Sequence, residues 1–318
     1  MGKSVKNIVK QFLIISESAG KQDDLYNHTK YITDNIIKFI NGYVEKYGDS
    51  MSDGDTWEFT IPKIVTKEIT EKTLISGIKT KVEFTYSSIN KIKGSFDRVK
   101  LMDDGSYTTF LTIMVNINKD INDFRDNIES LISHELHHAF RTIKTINKNS
   151  KSDKLNIVKN KVNLFKKDVL RDYPELKVFM DMVYLSLPQE VEARQQETAT
   201  QLKNCKSNSV ENTIHCLQQH QPINDARKMY NYDVKTLLTI DKDVLVDFIK
   251  SFNEISNELN IKGFNNHEEF FNKWVKHVNN SGLTLLKKIM RMVSDKHMVD
   301  ENTLYNNNYL LKEVFGLI

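Results

Sequence analysis

Residues 128–143 read Ile-Glu-Ser-Leu-Ile-Ser-His-Glu-Leu-His-His-Ala-Phe-Arg-Thr-Ile, and the rest of the chain can be placed around them. Ile128, Leu131, Ile132, Leu136, Ala139, Phe140 and Ile143 recur three and four residues apart, the spacing of a helix with one apolar face. Asn122 or Asp123 is placed to cap its first turn. At about 100° per residue, His134 and His138 fall one above the other, away from the middle of the apolar stripe, with Glu135 at its border. One side of the helix should pack on a core while the other lines a cleft.

His134-Glu135-Leu136-His137-His138 also fits the pattern His-Glu-x-x-His. Two imidazoles four residues apart on a helix make a two-point grip for a zinc ion, whose catalytic sites take three protein ligands and keep a fourth position for water. Zinc lowers the pKa of such a water to about 7. Glu135, beside the first ligand, is placed to take the water's proton and pass it to a leaving amine. The plain alternative is an amphipathic helix with a histidine-rich polar face.

A length of 318 residues with 39% hydrophobic side chains suffices for a real core in one large domain or two smaller ones. The 11 Gly and 4 Pro are few for such a length, which favours helix over tight turns. A net charge of +3 gives no case for nucleic-acid binding, which shows as a clustered basic face. Cys205 and Cys216 make neither a disulfide framework nor a paired zinc motif. Phe12-Leu13-Ile14-Ile15 is too short for a signal-peptide core or a membrane span, and Lys6 stands where a myristoylation motif wants Ser or Thr. The expected location is the cytoplasm, or a particle assembled there.

Taken in order, residues 1–54 form a helical N-terminal segment, with Ile8, Phe12 and Ile15 in one helical run and Tyr31 to Tyr43 in another, ending at the turn-rich Gly48–Gly54. From Thr56 the period changes to two: Trp57, Phe59 and Ile61 alternate with polar residues, as do Val82, Phe84 and Tyr86. Phe96–Met102 and Tyr107–Ile117 flank Asp103-Asp104-Gly105-Ser106, a hairpin turn. The fold class is thus α+β, with a small sheet ahead of the metal helix. Tyr107–Ile117 is either an edge strand able to bind an extended peptide by main-chain hydrogen bonds, or a central strand buried on both sides.

The basic stretch Lys144–Arg171 interleaves charge with apolar positions and reads as the solvated face of a helix. Helical spacing resumes at Leu176–Leu185, and Pro188 opens another helix with Ser186 as a possible cap. That helix carries Gln189-Glu190-Val191-Glu192-Ala193-Arg194-Gln195-Gln196-Glu197, so Glu190 or Glu192 can complete the zinc ligands.

His-Glu-x-x-His followed by a later helix with Glu-x-x-Ala resembles the zincin metallopeptidases, specifically the gluzincins. The resemblance covers roughly Thr56 to Cys205. It implies a zincin-like catalytic core over 55–205, with Glu190 as third ligand and Glu192 as second choice, bound Zn2+, and a protein or peptide substrate. In several related families the position four after the ligand Glu holds an Asp that orients a zinc histidine; here it is Arg194. Glu197, Glu192 or a backbone carbonyl can take the orienting role instead. The arginine is then left to a substrate carboxylate, an oxyanion, or a salt bridge to a neighbouring Glu. His137 and Tyr184 are open candidates for oxyanion donors.

Cys205, His215, Cys216 and His220 form a loose set whose spacing matches no standard zinc pattern, so they are read as ordinary helix or loop residues. Residues 206–318 form a helical C-terminal region, with breaks at Lys262-Gly263, Ser281-Gly282 and Asn306–Asn308. His267-Glu268-Glu269 and His277 read as surface and cap residues. The expected function is zinc-dependent peptide hydrolysis. The alternative from another class is a structural or virion-type assembly protein that uses the same fold as a scaffold.

Overall fold

A computed structural model describes residues 2–66, 73–85, 93–116, 120–147, 161–162, 173–235 and 237–300. The chain is mixed α+β and falls into two compact units, residues 1–149 with 199–204, and residues 150–198 with 205–318. The side chains of Asn122 and Asp123, most of the stretch 144–171 and the break at 306–308 lie outside what is described.

In the first unit, helix α1 (Gly2–Tyr47) runs unbroken through both N-terminal helical segments and stops where the turn-rich stretch begins. Four strands follow: β1 (Thr56–Thr66), β2 (Thr73–Thr85), β3 (Lys93–Leu101) and β4 (Tyr107–Asn116). They form one mixed sheet in the order β1-β2-β4-β3, with β2 and β4 parallel and the outer pairs antiparallel. Helix α2 (Arg125–Asn147) comes next. Period-two alternation sorts the strands: Ile78, Thr80, Val82 and Phe84 of β2 are buried while Lys79 is exposed. The buried set meets Ile32, Ile36 and Ile40 of α1 and Ile128, Ile132, Leu136, Phe140 and Ile143 of α2 in one core. Trp57 and Phe59 stack on Phe39 and Tyr43 of α1.

The edge-strand reading of Tyr107–Ile117 is wrong: β4 lies inside the sheet, hydrogen-bonded on both sides. Its buried Leu111, Ile113 and Val115 suit an interior strand. The strand at that end of the sheet is β3, whose Lys93, Asp97, Arg98 and Lys100 are exposed charges of the kind that protect edges.

The second unit is helical: α3 (Pro174–Ser186), α4 (Pro188–Asn204, its last residues counted with the first unit), α5 (Val210–Gln218), α6 (Gln221–Tyr230), α7 (Lys242–Glu258) and α8 (His267–His297). Its core is aromatic, with Phe179, Phe252, Phe270, Phe271 and Trp274 fully buried and meeting largely edge to face. Ser186 does not cap α4; its hydroxyl turns back to the Val183 carbonyl (2.7 Å). Asn266 caps α8, its Oδ1 accepting from the Glu269 N–H, while Glu269 accepts from the Asn265 N–H. His277 is not a surface residue: it is half-buried with its ring edge-on to Trp274, and burial lowers its pKa.

The break expected at Ser281-Gly282 is absent, because α8 runs straight through it. Gly282 serves close approach instead: a Cβ there would stand 2.6 Å from the Tyr230 backbone nitrogen and 2.7 Å from the Ala226 carbonyl oxygen of α6. Ala is the better helix former by about 1 kcal/mol, yet backbone atoms cannot swing aside as a side chain would. Gly282→Ala is therefore expected to destabilise the protein by about 1–3 kcal/mol, measured as a fall in urea-unfolding free energy; a more stable variant would show that α6 and α8 can separate freely.

Cys205 and Cys216 also depart from expectation, since they are joined in a disulfide. This removes the loose Cys/His set as a second zinc site. Two cysteines carry no framework pattern in sequence, and the bridge joins the residue just after α4 to Cys216 within α5. Among the described residues no helix is long and apolar enough to cross a membrane.

Candidate metal centre

Helix α2 buries the motif: His134 and His138 are each 6% exposed and Glu135 8%. One helical turn brings the two Nε2 atoms to 3.1 Å. That separation is close to the edge, about 3.3–3.4 Å, of a tetrahedron with zinc–nitrogen bonds of about 2.0–2.1 Å.

Glu135 is held from the sheet. The Phe96 backbone N–H of β3 donates to its Oε2 at 2.7 Å. Two local features of β3 permit this. Gly94 packs so closely that a Cβ would lie 2.6 Å from Leu131 Cδ2 and 3.0 Å from the Thr112 carbonyl oxygen, so the strand comes hard against α2 one turn before Glu135. The register then shifts between Phe96 and Arg98, leaving Asp97 in a bulge braced by the hydroxyls of Ser95 (3.0 Å) and Thr112 (2.8 Å). The Phe96 amide was missed in the sequence, where a backbone donor has no signature; the available signal was a glycine inside a strand pattern.

The end of α4 is pinned to α2 by buried polar pairs. Gln201 Nε2 donates to Ser130 Oγ at 2.9 Å and the hydroxyls of Ser133 and Thr200 are 2.7 Å apart. Glu190 is completely buried, and the ligand atoms offered by His134, His138 and Glu190 lie within 4.8 Å of one another. Glu192, two residues on, is exposed and does not join them. Two imidazoles and one carboxylate are the donor types zinc takes, so the residues present fit that ion.

Arg194 is claimed by carboxylates. Its Nη1 donates to Glu197 Oε2 at 2.7 Å and its Nη2 pairs with Asp225 Oδ2 of α6 at 2.9 Å. Burial alone would draw the guanidinium pKa down, but the charges of Glu197, Asp225 and Glu190 outweigh it and raise the value. Burial pushes the Asp225 carboxyl up, against the pull of Arg194. Of the roles open to Arg194, the salt bridge to a neighbouring Glu is the one found. Asp225 lay unmarked in the sequence. His137 is half-buried with its ring 6.3 Å from that of His138, and Tyr184 is half-buried against the aromatic core of the second unit; neither is shown as an oxyanion donor.

No protein-family model, curated protein or solved structure matches the chain.

Proposed function

We propose that the chain is a zinc-dependent metallopeptidase. The observation that carries this reading is the buried cluster of His134, His138 and Glu190 beside a Glu135 carboxylate already oriented by a backbone amide. His134, His138 and Glu190 would hold the ion, which when bound supplies Lewis acidity toward a carbonyl and lowers the pKa of a water to about 7. Glu135 then takes a proton from the attacking water and delivers it to the departing amine, acting as base and then as acid. The Phe96 N–H holds that carboxylate in one orientation while it does so. Strand β3, the end strand of the sheet among the described residues, runs beside Glu135, and an end strand is where an extended peptide can add by main-chain hydrogen bonds, which favours a peptide substrate over a small molecule.

Metal content tests the site. Purified protein is expected to carry about one zinc per chain by mass spectrometry, and a His134→Ala/His138→Ala variant with an unchanged circular dichroism spectrum to carry none. A folded wild type that takes up no zinc after loading would reduce the motif to an amphipathic helix.

A further inference from the structure

The cluster around Arg194 poses a question that the three ligands do not answer. A guanidinium follows Glu190 by one helical turn and feels its charge. A fixed positive charge so near a ligand opposes the arrival of a divalent cation, and burial strengthens that opposition. Arg194 is not left in that state, because two carboxylates hold it. Glu197 comes from its own helix, whereas Asp225 is brought by α6 and is itself fixed by Gln221 Nε2, which donates to Oδ1 at 2.6 Å. Asp225 is buried to 2% exposure, a costly position for a carboxylate whose only task is a surface-type ion pair.

We propose that Asp225 is a positioning residue for the metal centre: together with Glu197 it holds the Arg194 guanidinium, so that this cation does not compete with zinc for the Glu190 carboxylate. This rests on the zinc reading above. Asp225 touches neither metal nor substrate and acts only through Arg194.

The test is the zinc dissociation constant of the full chain, measured by competition with a chromophoric chelator, with melting temperature recorded alongside. Asp225→Asn is expected to weaken zinc binding about 10-fold or more, the scale on which groups behind the ligands act. Arg194→Gln/Asp225→Asn, which removes the guanidinium together with the carboxylate and so keeps the net charge beside Glu190 as in the wild type, is expected to recover affinity to within about threefold of the wild type. A merely structural salt bridge would lower the melting temperature in both variants and leave the dissociation constant unmoved, and that result overturns the proposal. If Asp225→Asn does not fold, Asp225→Ser takes its place: zinc binding weakened about 10-fold or more supports the proposal, and an unmoved dissociation constant sinks it. Zinc uptake by the wild type with unchanged affinity in the variants refutes the role of Asp225 only; a wild type that binds no zinc removes the site reading and this proposal together.

Discussion

Glu135→Gln is expected to keep about one zinc per chain and to lower peptide hydrolysis by a factor on the order of 10²–10⁴, the usual contribution of a positioned general base. Gln has nearly the shape of Glu, and its amide oxygen can still accept from the Phe96 N–H, so the contact that orients the side chain survives. What is lost is the capacity to take a proton. The fold should be untouched, because Glu135 sits at the margin of the apolar face and contributes no bulk to the core formed by Ile128, Ile132, Leu136 and Phe140. The measurement is kcat on a peptide library, paired with zinc content of the same preparation. An unchanged rate would remove Glu135 from the mechanism; a variant that loses zinc would mean that Glu135 supports the site instead of acting in it.

Trp274→Ala carries the largest expected loss of stability, about 3–5 kcal/mol. The indole is fully buried among Phe179, Phe252 and His277, and its Nε1 donates to Ser256 Oγ at 3.0 Å. Truncation opens a large cavity in a core whose neighbours are rigid rings, poorly able to collapse into it, and leaves the buried Ser256 hydroxyl without this donor. Urea unfolding followed by circular dichroism measures the difference. A loss below about 1 kcal/mol would show that the aromatic cluster is loosely packed.

The parts of the molecule legible in the sequence are those governed by local periodicity. His134 and His138 share a face because helical spacing converts directly into geometry, and Ile78, Val82 and Phe84 face the core because strands alternate. Glu190 could be proposed because its helix also announces itself, through Pro188 at its first turn. Features that depend on distant partners stayed hidden. The apolar run of β4 fits a central or an edge strand equally well until β2 and β3 are seen to flank it. A glycine before Leu283 has the same appearance whether it ends a helix or lets α6 approach, and only the Tyr230 backbone decides. Asp225 becomes visible as part of the site only when α6 lays it against Arg194.

The Cys205–Cys216 bridge has a consequence for where the molecule matures. It uses both cysteines of the chain, leaving no thiol. Bridges of this kind persist in oxidising compartments, whereas the glutathione pool of a reducing cytoplasm keeps such residues as thiols. The cytoplasmic placement expected from the sequence and the bridged form therefore belong to different redox surroundings. A preparation thus carries two thiols or none, and its sulfur chemistry becomes a record of the compartment in which the chain came to rest.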